Sequence, residues 1–150
     1  MFNRFTDEAR FTTTQAAEVA RDLGSPQVEA EHLLLAITAG DSPAARALHA
    51  AGLDREGLLE VLAAETARSL AAVGITAERP RFSPFVRTPR FGSSAKLALE
   101  RSLRVALARR ENRIDSRHIV LAILRAPAGT VPRALECAGV DRVELAGRLV

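Results

Sequence analysis

The sequence predicts an all-α protein in which two four-helix repeats, about eight helices in total, pack as one compact domain around a pseudo-twofold axis. The segment HLLLAI at 32–37 returns as HIVLAI at 118–123, which indicates an internal duplication. Apolar residues recur at helical spacings, and no segment keeps the two-residue alternation of a strand. Because a repeat of about 65 residues has a marginal core, we expect the two repeats to share one.

The duplication extends well beyond this motif. At the same offset of 86 residues, Phe5 aligns with Phe91. The segment LHAAGLD at 48–54 matches LECAGVD at 135–141, one residue further along, as an ordinary loop insertion would produce. The predicted parts of the single domain are repeat one at 1–75, a linker at 76–90 and repeat two at 91–150.

The first two helices of repeat one have clear start and stop signals. Thr6 is a suitable N-cap, followed by two acids that favour a helix N-terminus. Gly, Ser and Pro at 24–26 end this helix. The second helix, at 31–39, is so uniformly apolar at 33–37 that we expect it to be central and buried, and Gly40 ends it.

The third and fourth helices follow the same logic. Ser42 and Pro43 supply a cap and an N1 proline for the third helix, and Gly52 closes it. Asp54 caps a fourth helix that continues to about Ala72.

Repeat two has matching signals for its own helices. Ser93 or Ser94 is expected to cap its first helix and Ser116 its buried second helix. Gly139 closes the third helix, and Asp141 caps the last.

The predicted linker is basic and aromatic. Its three prolines exclude a continuous helix. Arginines interleaved with phenylalanines can bind single-stranded nucleic acid; alternatively, the phenylalanines dock the linker onto the helices while the arginines face water. The high pI reflects arginine usage rather than a large net charge, since Lys96 is the only lysine and the net charge is +3. The residues concerned are Arg79, Arg81, Phe82, Phe85, Arg87 and Arg90.

The sequence lacks the motifs of an enzyme, a cofactor or a metal site. Lys96 follows no glycine-rich phosphate loop, and no His-Glu-x-x-His motif or cysteine pair occurs. His32 and His118 are equivalent copies that we expect to form hydrogen bonds near a helix end. Cys137 aligns with Ala50, which predicts a packing role.

Compartment and membrane association can also be predicted from composition. No apolar run reaches the length of a membrane-spanning helix, and the N-terminus is too polar for a secretion signal. With a single cysteine, no disulfide framework is possible. These features predict a cytoplasmic protein without a membrane partner.

The opening MFNRFTDEAR, the segment EHLLLAI at 31–37 and the duplication together resemble the N-terminal domain of Clp-type unfoldases, also called the Clp R domain or double Clp repeat. The resemblance is strongest to the ClpC branch and covers essentially the whole chain. Members continue into two ATPase modules, whereas this sequence ends at Val150 with the second repeat. We therefore expect a stand-alone recognition domain or a domain cut from a longer protein.

The resemblance implies a non-catalytic domain that receives client proteins and adaptors for Clp unfoldase and protease subunits, and acts here as a regulator, adaptor or decoy. In the ClpC branch the domain also binds phosphorylated arginine. Carried over to this sequence, Thr6 would meet the phosphate and Glu31 the guanidinium. Repeat two has Gly92 and Arg117 at these positions, so Arg117 could attract only an anion there. The alternative for Glu31 is that it stabilises its own helix N-terminus.

Two other functions stay open at this point. The family's domain is a target of cyclic-peptide antibiotics, so this chain could sequester such compounds on an apolar surface formed by Phe2, Phe82 and Phe85. Nucleic-acid binding through the basic linker is the further alternative.

Overall fold

The computed structural model describes residues 2–76 and 87–150, and this part of the chain contains eight α-helices. Repeat one contributes α1 (Asp7–Asp22), α2 (Ala30–Thr38), α3 (Pro43–Ala50) and α4 (Arg55–Ala72). Repeat two contributes α5 (Ser93–Ala108), α6 (Ser116–Leu124), α7 (Thr130–Cys137) and α8 (Arg142–Gly147). A 3-10 turn at Phe2–Arg4 and two short strands, β1 (Gln27–Val28) and β2 (Arg90–Phe91), complete the described elements. The predicted all-α double repeat is confirmed.

Most of the predicted caps are confirmed. The side-chain oxygen of Thr6 accepts a hydrogen bond from the Ala9 N–H at 3.1 Å. Asp54 accepts one from the Gly57 N–H at 2.8 Å, and Ser42 and Asp141 cap their helices in the same way. These bonds satisfy N–H groups that have no partner within the helix.

Three helix starts lie one or two residues earlier than the sequence predicts. The N-cap of α2 is Glu29, that of α5 is Gly92 rather than Ser93 or Ser94, and that of α6 is Asp115 rather than Ser116. Each of these N-caps directly follows a chain segment that pairs with the other repeat. Tertiary pairing therefore sets where these helices begin.

The two short apolar helices, α2 and α6, form the centre of the core. Leu33, Leu34 and Leu35 of α2 and Ile119 and Leu121 of α6 have no exposed surface. The predicted burial of the second helix of each repeat is confirmed.

Cys137 does not have the packing role that its alignment predicts. It is exposed near the end of α7, and its counterpart Ala50 in α3 is exposed as well. Both residues lie on the outer side of a helix whose buried face is formed by other positions, such as Leu135 and Leu48.

Short extended segments of the two repeats pair with each other. Strand β1 pairs in parallel with β2, with Val28 opposite Phe91, and Phe5 forms a parallel bridge with Ile114. Since Phe5 aligns with Phe91 and Val28 with Ile114, the two contacts are equivalent under the pseudo-twofold. Single-residue hydrogen bonds extend the pairing: Gly92 N–H donates to Val28 C=O at 2.8 Å, and Thr6 N–H donates to Ile114 C=O at 2.9 Å.

A carboxylate and a serine join the two repeats at each of these junctions. At one, Glu29 accepts hydrogen bonds from the backbone N–H (3.2 Å) and the hydroxyl of Ser94. At the other, Glu8 accepts from the N–H (3.3 Å) and the hydroxyl of Ser116. The first helix of each repeat is thus anchored to the start of the second helix of the other repeat.

We predict that Gly92→Ala destabilises the protein by about 1–3 kcal/mol. An added Cβ would overlap the Glu29 carboxylate, which would then lose its bonds to Ser94. Gly147→Ala is the matched control, because a Cβ there meets nothing within 4 Å and Gly147 lies in a helix. Urea unfolding of both variants measures the effect. Equal stability of the two variants would contradict this account of the junction.

Candidate functional site: the Glu31 cleft

An open cleft of about 540 Å³ lies beside the junction that contains Glu29 and Ser94. Its walls come from the start of α2, the first half of α5, the end of α6, the connection from α6 into α7 and the first turn of α7. We call it the Glu31 cleft, after a carboxylate that lines it. Leu97, which is 45% exposed, lines the cleft together with Arg101 and Arg133.

Glu31 is half-buried, and its surroundings disfavour its ionised form. Burial raises the pKa of Glu31 above its ordinary value of 4.5; a hydrogen bond from its own backbone N–H offsets this in part, and the charges of Glu29 and Glu65 raise the pKa further. Among the described residues, no cation lies within ion-pair distance of Glu31. A cationic group entering the cleft would therefore relieve an unfavourable charge.

The neighbouring acid, Glu65, does have a cationic partner. Glu65 lies on α4 with 5% of its surface exposed, and its carboxylate accepts hydrogen bonds from Ser69 at 2.6 Å and from Arg133 Nε at 2.9 Å. These two bonds lower the pKa of Glu65. Arg133, which lines the cleft, is thereby paired with Glu65, which does not line it, and among the described residues no cation is paired with Glu31.

The structure places the two residues suggested for one phosphoarginine site at different junctions. Thr6 lies at the junction with Ile114, and its hydroxyl is engaged in capping α1. Glu31 lies in the cleft with Ser93 and Ser94 of repeat two. Gly92, which is equivalent to Thr6, lies against Glu29 at this junction. Each junction therefore combines the first helix of one repeat with the second helix of the other.

Arg117, the counterpart of Glu31, is held in a network of ion pairs. Its guanidinium contacts Asp115 at 2.9 Å and Glu111 at 3.2 Å, and Arg109 Nε contacts Glu111 at 2.7 Å. The hydrogen bond to Asp115 is the main cause that raises the pKa of Arg117. An incoming anion would have to compete with two carboxylates for this guanidinium.

His118 lies beside this network and shares two acids with it. Glu111, Asp115 and His118 bring potential ligand atoms within 4.8 Å of one another. However, both carboxylates are paired with arginine, and His118 Nδ1 accepts a hydrogen bond from the Asp115 N–H at 3.0 Å. In the neutral ring the proton is then on Nε2, which faces Glu111 at 3.0 Å, so this nitrogen has no lone pair to offer a metal ion.

The equivalent histidine, His32, has the same role in repeat one. Its Nδ1 accepts from the Glu29 N–H at 2.8 Å. The prediction that both histidines form hydrogen bonds near a helix end is confirmed.

The apolar and basic candidates in the linker fall mainly outside the described residues. Phe82 and Phe85 lie there, as do Arg79 and Arg81. Phe2 belongs to the 3-10 turn, and its side chain is not among those described. Of the linker arginines, Arg87 and Arg90 are described, and both are exposed.

Several residues that line the cleft, and Glu65, which pairs with the lining residue Arg133, were not identified from the sequence. Glu29 could have been found, because it aligns with Asp115 at the offset of 86 residues and both precede a buried helix. Glu65, Arg101 and Arg133 gave no comparable signal, since each resembles an ordinary charged residue on a helix surface.

No helix in the described ranges has both the length and the apolar composition needed to cross a membrane.

Comparisons with known proteins agree with this architecture. A family model described as the Clp repeat (R) N-terminal domain matches residues 4–87 and 90–149. The chain is 34% identical over 142 residues to chaperone protein ClpC1, chloroplastic, of Oryza sativa subsp. japonica, which covers 94% of this chain and 14% of that protein. It is 30% identical, again over 142 residues, to the negative regulator of genetic competence ClpC/MecB of Bacillus subtilis, covering 94% and 16%.

Solved structures share the fold at low identity. The N-terminal domain of the chaperone ClpD from Arabidopsis thaliana has a TM-score of 0.68 and 19% identity, covering 99% of this chain and 94% of that one. The Hsp104 N-terminal domain from Candida albicans has a TM-score of 0.66 and 19% identity, covering 97% and 88%. The N-domain of ClpV from Vibrio cholerae has a TM-score of 0.62 and 18% identity, covering 97% and 82%.

We predict that Glu31→Gln increases the free energy of unfolding at pH 7. The folded state raises the pKa of Glu31, so the wild-type protein loses stability as pH rises from 4.5 through the folded pKa. The variant avoids this loss, and its advantage should vanish at about pH 4. Urea unfolding at both pH values measures the difference.

Glu65→Gln is the control with the opposite sign. Because the folded state lowers the pKa of Glu65, its ionised form stabilises the protein above pH 4.5, and the substitution should destabilise at pH 7. A destabilised Glu31→Gln variant at pH 7 would show that Glu31 serves its own fold.

Proposed function

Because the chain belongs to the Clp repeat (R) N-terminal domain family, we propose that it recognises client proteins or adaptors for Clp ATP-dependent proteolysis without catalysing a reaction itself. In Clp chaperones, N-domains mediate the interaction with substrates and adaptors. The chain spans only 14 to 16% of the length of the relatives compared above. The ATP-dependent activity of those proteins is therefore not attributed to it.

The observation that carries the proposal is the unpaired carboxylate of Glu31 in an open, partly apolar cleft. A peptide could place an arginine-type side chain there, with its guanidinium on Glu31 and its methylene stem along Leu97. The arginine would be plain or phosphorylated, and the phosphorylated form is the one that the family resemblance implies. Glu31 supports recognition of the guanidinium, which both forms contain.

The role of the domain in the pathway is a further part of the proposal. We expect it to act as a regulator, adaptor or decoy that shares clients or adaptors with a Clp unfoldase. A cytoplasmic location stays a prediction, since some relatives are chloroplastic proteins.

Antibiotic sequestration and nucleic-acid binding stay predictions without structural support of their own. The aromatic residues Phe82 and Phe85 fall outside the described part of the chain. Arg87 and Arg90 are exposed, as arginines on most protein surfaces are. Calorimetry with cyclic peptides and a salt-dependent gel shift would test these functions.

We predict that the purified domain changes the rate at which a reconstituted Clp unfoldase and peptidase degrade a client protein. A decoy would slow degradation by competing for the client, whereas an adaptor would accelerate it. Glu31→Ala should remove the effect, and Arg117→Ala should preserve it, because Arg117 is paired with Asp115 and Glu111.

The same variants can be compared in a pull-down with the immobilised domain. Recovery of neither unfoldase subunits nor their clients, together with an unchanged degradation rate, would contradict the proposed function.

A further inference from the structure

We infer that the Glu31 cleft selects an unmodified arginine side chain over a phosphorylated one. This inference rests on the proposed function, since it takes the guanidinium to lie on Glu31. It concerns whether the bound arginine is phosphorylated, and it is argued from the positions of Glu29, Ser94 and Gly92.

The place in the cleft that best suits a phosphate is occupied by the protein's own carboxylate. A helix N-terminus with free N–H groups is a natural anion site. At α5, the Glu29 carboxylate already accepts the Ser94 N–H at 3.2 Å and the Ser94 hydroxyl. The same hydroxyl accepts the Ala30 N–H at 2.8 Å. A phosphate at this helix start would have to displace Glu29.

Gly92 shows how closely Glu29 fills this space. Where repeat one has the hydroxyl-bearing Thr6 as the N-cap of the first helix, repeat two has no side chain at all. Any Cβ at Gly92 would overlap the Glu29 carboxylate. The N-cap position of α5 therefore offers no hydroxyl to a phosphate, and the Glu29 carboxylate lies against it instead.

The balance of charge also favours the unmodified side chain. Two carboxylates, from Glu29 and Glu31, and two guanidiniums, from Arg101 and Arg133, line the cleft. Because Arg133 is paired with Glu65, which lies outside the lining, the remaining charged side chains of the lining carry a formal charge of −1. A plain arginine would neutralise this charge. A phosphoryl group adds about two negative charges, so phosphoarginine would bring a net negative charge to an already negative cleft.

Arg101 and the start of α7 are the features that oppose this selection. Arg101 has no ion-pair partner among the described residues, and the N-cap of α7, Gly129, has no side chain to satisfy the helix N–H groups. Both also line the cleft: Arg101 lies about two turns along α5 from Ser94, and Gly129 lies in the α6–α7 connection. Direct comparison of the two ligand forms decides which influence is larger.

The test uses three peptides of one sequence that carry arginine, phosphoarginine or citrulline at a single position. Citrulline keeps the shape of arginine and removes its charge. Fluorescence anisotropy with the full chain should give an affinity for the arginine peptide about tenfold or more above that for either other peptide. Glu31→Gln should lower the affinity for the arginine peptide to that for the citrulline peptide. The control Glu56→Gln makes the same charge change at an exposed position and should leave the affinity for the arginine peptide at the wild-type value.

A second variant tests the role of Glu29 in selectivity. Glu29→Gln keeps an oxygen that can accept from Ser94 while it removes one negative charge from the start of α5. The ratio of phosphoarginine to arginine affinity should then rise by about fivefold or more. Circular dichroism and thermal unfolding establish that this variant is folded, and an unchanged ratio in a folded variant would overturn the assignment to Glu29.

The remaining outcomes separate this inference from the proposed function. If the phosphoarginine peptide binds as tightly as the arginine peptide or more tightly, and Glu31→Gln removes this binding, the selection is overturned while guanidinium recognition by Glu31 stands. Equal affinity for the arginine and citrulline peptides would overturn both the selection and guanidinium recognition by Glu31. Absence of binding by all three peptides would overturn the proposed use of the cleft and the selection with it.

Discussion

The reciprocal backbone pairing between the two repeats is the constraint on which the rest of the structure depends. Gly92 N–H donates to Val28 C=O and Thr6 N–H to Ile114 C=O, so each first helix begins against the start of the other repeat's second helix. These contacts join segments that lie more than sixty residues apart, and they bring α2 and α6 together in a shared core. A single repeat would leave both the extended segment and much of the apolar helix without a partner.

The same pairing produces two equivalent junctions with different chemistry. At one, Glu31 faces an open cleft without a cationic partner among the described residues. At the other, Arg117 takes the equivalent position and is held by Asp115 and by Glu111, which replaces Ser25 of repeat one. The two junctions thus share the same packing, but only the junction at Arg117 contains a network of ion pairs among the described residues.

The unpaired Glu31 carboxylate is the observation that supports the proposed use of the cleft in binding. Its pKa is raised chiefly by burial, whereas the pKa values of Glu65 and Glu111 are lowered by hydrogen bonds from neighbouring groups. An acid that stabilises a fold is expected to be paired with a cation or a hydrogen-bond donor of the protein, whereas an acid that binds a cationic ligand is expected to lack such a partner when the ligand is absent. Glu29 differs again, because its carboxylate accepts hydrogen bonds from Ser94 at the start of α5.

The sequence by itself determined the fold class, the duplication, the burial of α2 and α6 and most helix caps. These features depend on local spacing, on capping residues such as Thr6 and Asp54, and on a repeat of 86 residues that is visible in the chain. Only the tertiary structure decided that Thr6 and Glu31 lie at different junctions, that Glu29 occupies the start of α5 and that Arg117 is neutralised by two acids. The first two facts join residues of different repeats, and spacing along the chain does not show which segments meet after the repeats have packed. The third depends on how the connection from α5 folds against the start of α6, which brings Glu111 and Asp115 onto the guanidinium of Arg117.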